Sequence, residues 1–470
     1  MDFGRFVPGE RIFSQFYYPA GFPKSVCNCK KLNMRSDLQR ALNSARDTRA
    51  LEIGQGNMNE LPAFFQKQFP GKKAIVVCDQ TTFEVAANRI FRDLQACGLS
   101  ENVPFIFPEK RPYAEFGNVL LLDEALKAND AVPVAVGSGT VNDLTKLSSF
   151  RNNRPYMCVA TAASMDGYTA FGASITAEGN KQTFSCPAPQ AVFADIDVIR
   201  KAPAPMTAAG YADLFAKVTA GADWILADAL DVETIDQCAW SIVQDGLKEA
   251  LADPKGAREG RTEAVAPLVD GLILGGFAMQ WSQSSRPASG AEHQFSHLWN
   301  MEHHTYEGEM PPHGFQVGIA TLAVTRLYEK MLQSPVDQLD VASVCARWPE
   351  WETLEGRIRA MFGDTDFVDT AVSQTRAKHI SRDELAAQLN KLKSNWGAIA
   401  ARLSAQLVPS AEVKERLQLV GAPVDPEEIG ISKERMRASF LRAQHIRSRF
   451  TILDLAVRTG YLEEWLNQMF

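Results

Sequence analysis

Five apolar residues between charged ones form the clearest structural signal in this chain: Lys72-Lys73-Ala74-Ile75-Val76-Val77-Cys78-Asp79. A short apolar run without alternating polar residues is typical of a strand that is buried on both faces of a parallel sheet. The surrounding patterns alternate between helix and strand, with helices predicted at residues 82–96 and 118–128 and strands at residues 103–107, 131–136, 156–160 and 191–195. This alternation predicts βαβ units and therefore an α/β domain with a Rossmann-like parallel sheet.

The sequence changes character after the segment Lys201-Ala202-Pro203-Ala204-Pro205. Beyond it the apolar residues recur with helical spacing, and no stretch shows the alternation of a strand. Two prolines in a short polar link predict a domain boundary. We therefore expect an α/β domain at residues 1–204, with the first 65 residues as a leader packed against it, and an all-helical domain at residues 205–470.

Composition limits the class of protein to which the chain belongs. The 470 residues are 46% hydrophobic and 22% charged, which excludes disordered, collagenous and coiled-coil chains. A net charge of −7 argues against binding to nucleic acid or anionic lipid. We find no apolar run of the roughly 18 to 20 residues that a membrane span requires, and no secretory signal pattern. With only eight cysteines, the sequence predicts a cytoplasmic protein of enzyme size.

One basic segment, residues 432–450, has two interpretations. It carries six lysines and arginines against one glutamate, as a nucleic-acid face would. Its apolar residues Met436, Phe440 and Ile446 are spaced like the buried stripe of a helix. On an acidic chain this spacing favours an amphipathic helix with a solvated charged face.

A glycine-rich turn follows one predicted strand and opens a helix, with the sequence Val136-Gly137-Ser138-Gly139-Thr140-Val141-Asn142-Asp143. Two glycines let the backbone approach a pyrophosphate, whose charge would meet the free N–H groups of the helix start. The usual dinucleotide fingerprint has a third glycine where Asn142 stands. Asp79, at the end of an earlier strand, offers a carboxylate for a ribose. From these residues alone, a phosphate loop and a plain strand–helix turn stay equally open.

The loop Thr161-Ala162-Ala163-Ser164-Met165-Asp166-Gly167-Tyr168 follows the next predicted strand. Loops at the carboxyl ends of parallel strands are where such sheets bind ligands. An Asx turn at Asp166 and Gly167 is the simpler interpretation.

Histidines concentrate in one short stretch of the second half. Five of the seven in the chain fall within 21 residues: His293, His297, His303, His304 and His313. His293 and His297 are four apart on a predicted helix and share a face. A catalytic metal site needs a further oxygen ligand, for which Asp213 is the best candidate. Asp213 and Lys217 are equally compatible with an exposed ion pair on a helix.

Four motifs together resemble a known family, and they occur in the order Gly137-Ser138-Gly139-Thr140, residues 161–167, Ala208-Ala209-Gly210-Tyr211-Ala212-Asp213, and Ser285-Arg286-Pro287-Ala288-Ser289-Gly290-Ala291-Glu292-His293-Gln294-Phe295-Ser296-His297. The chain resembles the bacterial type of glycerol-1-phosphate dehydrogenase, within the glycerol dehydrogenase and dehydroquinate synthase superfamily. That family has an N-terminal nucleotide domain, a C-terminal helical domain that binds metal and substrate, and an active site in the cleft between them.

The resemblance implies a role for individual residues. It assigns ten residues to cofactor binding: Asp79, Gly137, Ser138, Gly139, Thr140, Val141, Thr161, Ala162, Ala163 and Ser164. Asp213, His293 and His313 match the ligands of a divalent metal, for which we expect zinc or nickel, although iron accepts the same ligand set. Asp166, Asp213 and His297 match the substrate-binding and catalytic positions.

The implied reaction is the reduction of dihydroxyacetone phosphate to sn-glycerol 1-phosphate by NADH or NADPH, as a step of phospholipid metabolism. Arg286 and Lys217 are candidates for binding the phosphate of this triose, and we expect a homo-oligomer. Three alternatives stay open at this point: a polyol dehydrogenase acting on an unphosphorylated substrate, a lyase of the dehydroquinate synthase type that uses NAD transiently, and a metal-binding protein that is no enzyme.

Overall fold

A six-stranded parallel sheet forms the first part of the fold in a computed structural model that describes residues 34–100, 103–177 and 180–470. The strands are β1 (Ala50–Gly54), β2 (Ala74–Cys78), β3 (Phe105–Ile106), β4 (Val132–Gly137), β5 (Met157–Ala160), β6 (Ala173–Ala177), β7 (Asn180–Phe184) and β8 (Ala191–Asp195). The sheet order is β1-β8-β5-β4-β2-β3, while β6 and β7 pair separately as an antiparallel hairpin. Residues 1–33 of the predicted leader lie outside the described residues.

Within the described residues, seven helices accompany the strands: α1 (Met34–Ser44), α2 (Leu61–Gln68), α3 (Gln80–Thr82), α4 (Asn88–Ala96), α5 (Phe116–Lys127), α6 (Gly139–Arg151) and α7 (Ile196–Ile199). A π-helical segment, Phe83–Ala87, joins α3 to α4. Alternate residues of the strands pack on opposite faces of the sheet, as the pleat requires. Val76 and Val134 lie in the apolar cluster that includes α2 and α4, whereas Ile75 and Val77 lie in the cluster that includes α5 and α6.

The rest of the described chain is helical, with fifteen α-helices: α8 (Ala204–Ala229), α9 (Gln237–Gln244), α10 (Leu247–Ala250), α11 (Pro254–Arg258), α12 (Thr262–Ser282), α13 (Ala291–Met301), α14 (His313–Gln333), α15 (Val341–Arg347), α16 (Trp351–Phe362), α17 (Val368–Arg376), α18 (Arg382–Gln406), α19 (Ser410–Val420), α20 (Lys433–Arg442), α21 (Ile452–Thr459) and α22 (Leu462–Met469). The predicted fold class, a parallel α/β part followed by helices, is therefore confirmed.

Helix α8 is the axis of the helical part, because every residue from 207 to 227 is buried. A helix that is apolar on all sides must be surrounded by other elements. Its few buried polar residues, among them Asp213 and Lys217, therefore face partners inside the protein. One apolar cluster includes sheet residues together with residues of α8 and α12, so packing joins the two parts of the chain. The division at residues 204 and 205 coincides with the start of α8 and stays a prediction.

Helix α12 is long and apolar enough to cross a membrane by length and composition alone. In its most apolar window, 67% of the residues are buried within the fold, as in a core helix. Helix α20 covers most of the basic segment at residues 432–450, and its residues Met436 and Phe440 are buried, as an amphipathic helix requires.

Candidate metal and cofactor site

Three helices bring together an aspartate and two histidines. Asp213 lies in the buried part of α8, His293 lies on α13, and His313 is the first residue of α14. One carboxylate oxygen or ring nitrogen from each of them lies within 4.8 Å of the other two. Nε2 of His293 is 3.5 Å from Oδ1 of Asp213. Two imidazoles and one carboxylate form the ligand set of a divalent transition metal whose remaining positions are open to substrate.

Both histidines are oriented by a partner at the other ring nitrogen. Nδ1–H of His293 donates to Oε1 of Glu292 over 2.8 Å, since a carboxylate can only accept. Nδ1 of His313 lies 3.1 Å from Oγ of Ser296, whose hydroxyl donates to Gln316. These contacts leave Nε2 of each ring as the nitrogen that could bind a metal, which is the usual arrangement of ligating histidines.

Glu292 is itself fixed on three sides. It is fully buried and accepts from the N–H of Gly290 at 2.6 Å and from Oγ1 of Thr219 at 2.8 Å. Burial alone would raise the pKa of Glu292, but the hydrogen bonds from His293, Gly290 and Thr219 hold it below its ordinary value. Glu292 is therefore a buried, ionised carboxylate that faces the histidine.

Lys217 links the two aspartates of the site. Its Nζ lies 2.7 Å from Oδ2 of Asp166 and 2.9 Å from Oδ1 of Asp213, and the side chain is fully buried. The interpretation of Asp213 and Lys217 as an exposed ion pair is therefore wrong. Burial would raise the pKa of Asp213, but Lys217 and His293 hold it well below its ordinary value. The N–H of Asp166 also donates to Oδ2 of Asp213 at 3.1 Å, which places Asp166 at the edge of the site.

Arg286 does not face the site. Only 2% of the residue is exposed, and its guanidinium donates to the carbonyls of Phe450 at 3.0 Å and Asp223 at 3.1 Å. Its Nε lies 3.1 Å from a carboxylate oxygen of Glu233. The prediction of Arg286 as a phosphate ligand is wrong, because the guanidinium is bound by α8 and by the loops that contain Glu233 and Phe450. The charge of Lys217 is likewise committed to two carboxylates, so the geometry does not favour Lys217 as a phosphate ligand.

The histidine cluster divides into a site group and a structural group. His297 lies half-buried on α13, with its ring centre 6.4 Å from that of His293. His304 lies elsewhere, with its ring nitrogens 2.7 Å from the carbonyl of Ile429 and 2.7 Å from Arg435. His304 therefore holds the segment after α13 against its neighbours.

The glycine-rich turn lies where β4 passes into α6. The first intrahelical bond runs from the N–H of Asn142 to the carbonyl of Ser138 over 3.0 Å, so the N–H groups of residues 139–141 have no partner within the helix. A side chain on Gly137 would approach Cβ of Val141 to 2.6 Å, so this position has no room for one. The turn therefore has the shape and the free donors that an anion requires.

Asn142, which stands where the dinucleotide fingerprint has its third glycine, makes two side-chain hydrogen bonds. Its side-chain amide donates to the carbonyl of Gly167 over 3.2 Å and accepts from the hydroxyl of Tyr156 over 3.1 Å. Helix α6 is thereby joined to the loop that carries Asp166. The carboxylate of Asp166 binds Lys217, so it is not committed to the simple Asx turn.

Two glycines allow direct backbone contact, one between the loop after β5 and helix α8 and the other between helices α8 and α14. A side chain on Gly210 of α8 would come within 2.0 Å of the carbonyl oxygen of Ala163. One on Gly314 of α14 would come within 1.9 Å of the carbonyl oxygen of Ala209. The loop 161–164, helix α8 and helix α14 are therefore stacked backbone on backbone.

Residues 52–203 match the family described as iron-containing alcohol dehydrogenase. A protein of Bacillus velezensis named glycerol-1-phosphate dehydrogenase (NAD(P)+) is 31% identical over 68% of this chain and 84% of its own length. The protein of the same name from Geobacillus thermodenitrificans is 30% identical over 84% of this chain and 89% of its own length. The chain belongs to the glycerol-1-phosphate dehydrogenase family. The resemblance stated from the motifs is thus confirmed.

A probable glycerol dehydrogenase of Sinorhizobium meliloti has the same fold as this member of the glycerol-1-phosphate dehydrogenase family. Its crystal structure covers 90% of this chain and 98% of its own, with a TM-score of 0.56 at 14% identity. At this identity the likeness concerns the fold alone.

Asp79 caps the first helical turn after β2 in this family member. Its Oδ1 accepts from the N–H of Thr82 at 2.7 Å. Because β2 pairs with β4, Asp79 lies at the same sheet edge as Gly137. Its role as a cofactor ligand stays a prediction.

Sequence reasoning missed Glu292 and Ser296, which orient the two histidines. The only signal for Glu292 was its position directly before His293, and Ser296 is three residues beyond it. The partner of Ser296, His313, comes from another helix. No local pattern predicts that contact.

Proposed function

We propose that the protein is a metal-dependent NAD(P)H oxidoreductase that reduces dihydroxyacetone phosphate to sn-glycerol 1-phosphate and catalyses the reverse reaction. One observation carries this proposal: the loop after β5 brings Asp166 beside Asp213, while the glycine-rich turn lies on the neighbouring strand. A nucleotide site and a metal site are thereby adjacent. Membership of the glycerol-1-phosphate dehydrogenase family supports the substrate.

The residues present fit both absent groups. Asp213, His293 and His313 would hold a divalent metal, because their ligand atoms converge and both histidines present Nε2. The turn at residues 137–141 would hold the cofactor pyrophosphate. When bound, the metal supplies a Lewis acid for the ketone and NAD(P)H supplies the hydride.

The remaining chemistry falls to side chains of this chain. Lys217 positions Asp166 and Asp213, because its ammonium bridges both carboxylates in a fully buried place. Asp166 and His297 would bind the hydroxyl and carbonyl oxygens of the triose. His297 would hold the proton that the new hydroxyl group takes up, since an imidazole exchanges protons readily near neutral pH.

The cofactor would lie along the sheet edge. Residues 139–141 would donate N–H groups to the pyrophosphate, and the loop 161–164 would contact the nicotinamide side. Asp79 would accept from the ribose hydroxyls, which favours NADH because a carboxylate repels a 2′-phosphate. We also infer a cytoplasmic homo-oligomer that uses zinc or nickel, which elemental analysis and light scattering of the purified protein would test.

The test is the oxidation of NADH by the metal-loaded protein, with dihydroxyacetone phosphate or dihydroxyacetone as the ketone. We expect a much larger kcat/KM for the phosphorylated ketone, and product that is the sn-1 phosphate. His293→Ala serves as the inactive control. Equal rates with the two ketones would replace this proposal by a polyol dehydrogenase, and conversion of a substrate without net NADH oxidation would replace it by a lyase.

A further inference from the structure

A cavity of about 230 Å³ lies among the C-terminal helices, and the residues that line it belong to α15, α16, α17, α21, the 3₁₀ turn Ala443–Ile446 and the adjoining loops. Neither the three metal ligands nor the proposed cofactor residues are among them. The cavity is smaller than the roughly 300–1,000 Å³ of drug-sized ligand pockets. It therefore suits a small molecule and not a dinucleotide.

The wall of this cavity has an excess of positive charge. Among the described residues that line it, four are cationic, Arg347, Arg357, Lys378 and Arg458, and one, Asp454, is a carboxylate. That carboxylate is already paired with Nζ of Lys378 at 2.5 Å. The described lining therefore offers the three guanidinium groups no carboxylate other than Asp454, which already pairs with Lys378.

The side-chain hydrogen bonds of Arg347 and Arg458 run to neutral groups. Arg347 donates to Oγ of Ser343 at 2.8 Å. Arg458 donates to Oε1 of Gln388 and to the carbonyl of Lys378, each at 2.7 Å. Guanidinium groups that are not neutralised by carboxylates bind phosphate oxygens strongly and with defined geometry.

His379 adds a buried polar atom that has no partner. Its ring is stacked on Trp348, with ring centres 5.7 Å apart and planes 10° from parallel. Its Nδ1 is buried and makes no hydrogen bond within the described part of the chain. Burial, together with Arg376 and Arg458, lowers the pKa of His379, so the ring is neutral and can donate one N–H. A ligand oxygen would satisfy this atom, whose isolation otherwise costs free energy.

Burial also disfavours the charged forms of two neighbouring groups, His445 and Lys378. Burial, with Lys378 as a further cause, lowers the pKa of His445 to about 4. Burial also lowers the pKa of Lys378, although Asp454 opposes the change. Protonation of these groups is thus unfavourable, and a bound anion would make it less unfavourable.

We propose that this cavity is a second ligand site, which binds the phosphate group of a small organic phosphate. A phosphate monoester carries about −1.5 to −2 charge near neutral pH, which offsets the excess of cations more fully than a monocarboxylate does. Arg347 and Arg357 would bind its oxygens from the rim, and His379 would donate from within. Trp348 would cover the organic part. The proposal is independent of the reaction proposed for the metal site.

The test measures binding of inorganic phosphate by titration calorimetry to the wild-type protein and to Arg347→Ala/Arg357→Ala. Both arginines are exposed, so the double variant should fold normally. We expect the component of phosphate binding at this cavity to weaken by roughly tenfold or more, because two charge-assisted hydrogen-bond donors are lost. His379→Phe keeps the ring on Trp348 and removes the donor, and it should weaken the same component.

The matched control is Arg359→Ala, on the same helix as Arg357. Arg359 is exposed and pairs with Glu355 and Asp369, away from the cavity. It should bind phosphate as the wild type does. Unchanged binding in the double variant would overturn the proposal, and so would an equal loss in Arg359→Ala, which would indicate unspecific attraction. None of these substitutions changes a proposed metal, cofactor or substrate residue, so dihydroxyacetone phosphate reduction reports separately on the proposed reaction.

Discussion

Oε1 of Glu292 lies 2.8 Å from Nδ1 of His293, and both side chains are buried next to Asp213. A carboxylate at this nitrogen fixes the tautomer of the imidazole and increases the basicity of the ring. The nitrogen by which His293 would bind the proposed metal is therefore oriented before any metal is present. The pair is sequential in the chain, yet its function depends on Thr219 of another helix, which holds the second carboxylate oxygen.

Glu292→Gln keeps the size of the side chain and removes its charge. We expect metal affinity to fall by roughly 10- to 100-fold, the usual effect of losing such an outer partner. Metal content after dialysis against graded chelator measures this directly. Glu302→Gln, at the end of the same helix, is the matched control because Glu302 pairs with Arg435 and Arg442 instead. If both variants retain metal equally, Glu292 does not contribute to metal affinity and has only a packing role.

His293→Ala and His297→Ala should separate two roles on one helix face. His293→Ala removes a metal ligand, so the protein should purify with little metal and little activity. His297→Ala should keep its metal and lose about 10- to 150-fold in kcat/KM, as expected for one hydrogen bond to a charged partner. Elemental analysis beside steady-state kinetics decides between the roles. Loss of metal from His297→Ala alone would reverse the ligand assignment.

Gly137→Ala should weaken NADH binding by roughly tenfold or more, because the new methyl group meets Val141 at 2.6 Å and displaces the start of α6. Fluorescence titration with NADH measures the affinity. Gly117→Ala in α5 is the control, since a side chain there meets no atom within 4 Å. An unaltered NADH affinity in Gly137→Ala would remove the turn from the cofactor site.

Asp79 allows the cap and the cofactor charge to be tested separately. Asp79→Asn keeps an oxygen for the N–H of Thr82 but loses the negative charge, so NADPH should gain on NADH in the ratio of kcat/KM. Asp79→Ala should shift the ratio equally and also cost about 0.5–2 kcal/mol of stability through the lost cap. If neither variant changes the ratio, Asp79 caps the helix and does not contact the cofactor.

His445 predicts a loss of stability in mild acid. Burial lowers its pKa from 6.5 to about 4, and Nδ1 lies 2.9 Å from Oγ1 of Thr375. As the pH falls through 6.5, His445 binds a proton in the unfolded chain. In the folded protein it binds this proton only near pH 4. Stability contributed by the neutral histidine is therefore present at neutral pH and lost over this window, by up to about 3 kcal/mol.

Urea unfolding midpoints between about pH 7.5 and about pH 4.5 measure this effect. His445→Gln should be less stable at neutral pH but should show a shallower decline with falling pH. His303→Gln, at an exposed position, should decline as the wild type does. Parallel declines in all three proteins would exclude His445 as a source of the acid sensitivity.

Four of the five predicted strands are buried along their whole length, and the fifth, predicted at residues 103–107, is the two-residue edge strand β3. β2, β4, β5 and β8 are the buried strands, and they are apolar except for Asp195 at the end of β8. β1 was missed because Glu52 interrupts it, which an edge strand tolerates. The hairpin β6–β7 was missed because β7 reads Asn-Lys-Gln-Thr-Phe and carries no apolar run.

The site was predictable in its residue types and less so in its contacts. Resemblance pointed to Asp213, His293 and His313, and the structure brings their ligand atoms together. Spacing alone could not do this, because the three residues come from three helices whose packing is a tertiary property. Arg286 was misassigned for a related reason. Proximity in sequence to a histidine cluster does not determine the direction in which a guanidinium points.

Gly210 and Gly314 have a consequence for how this protein can vary. Each faces a carbonyl oxygen with no room for a side chain, so the nucleotide-side loop, the aspartate helix and the histidine helix are separated only by main-chain atoms. In the proposed reaction, the distance between the cofactor and the ketone is then set by the packing of the main chain. Substitutions of other side chains can change which ketone binds and how tightly it binds. They leave the distance over which the hydride is transferred unchanged.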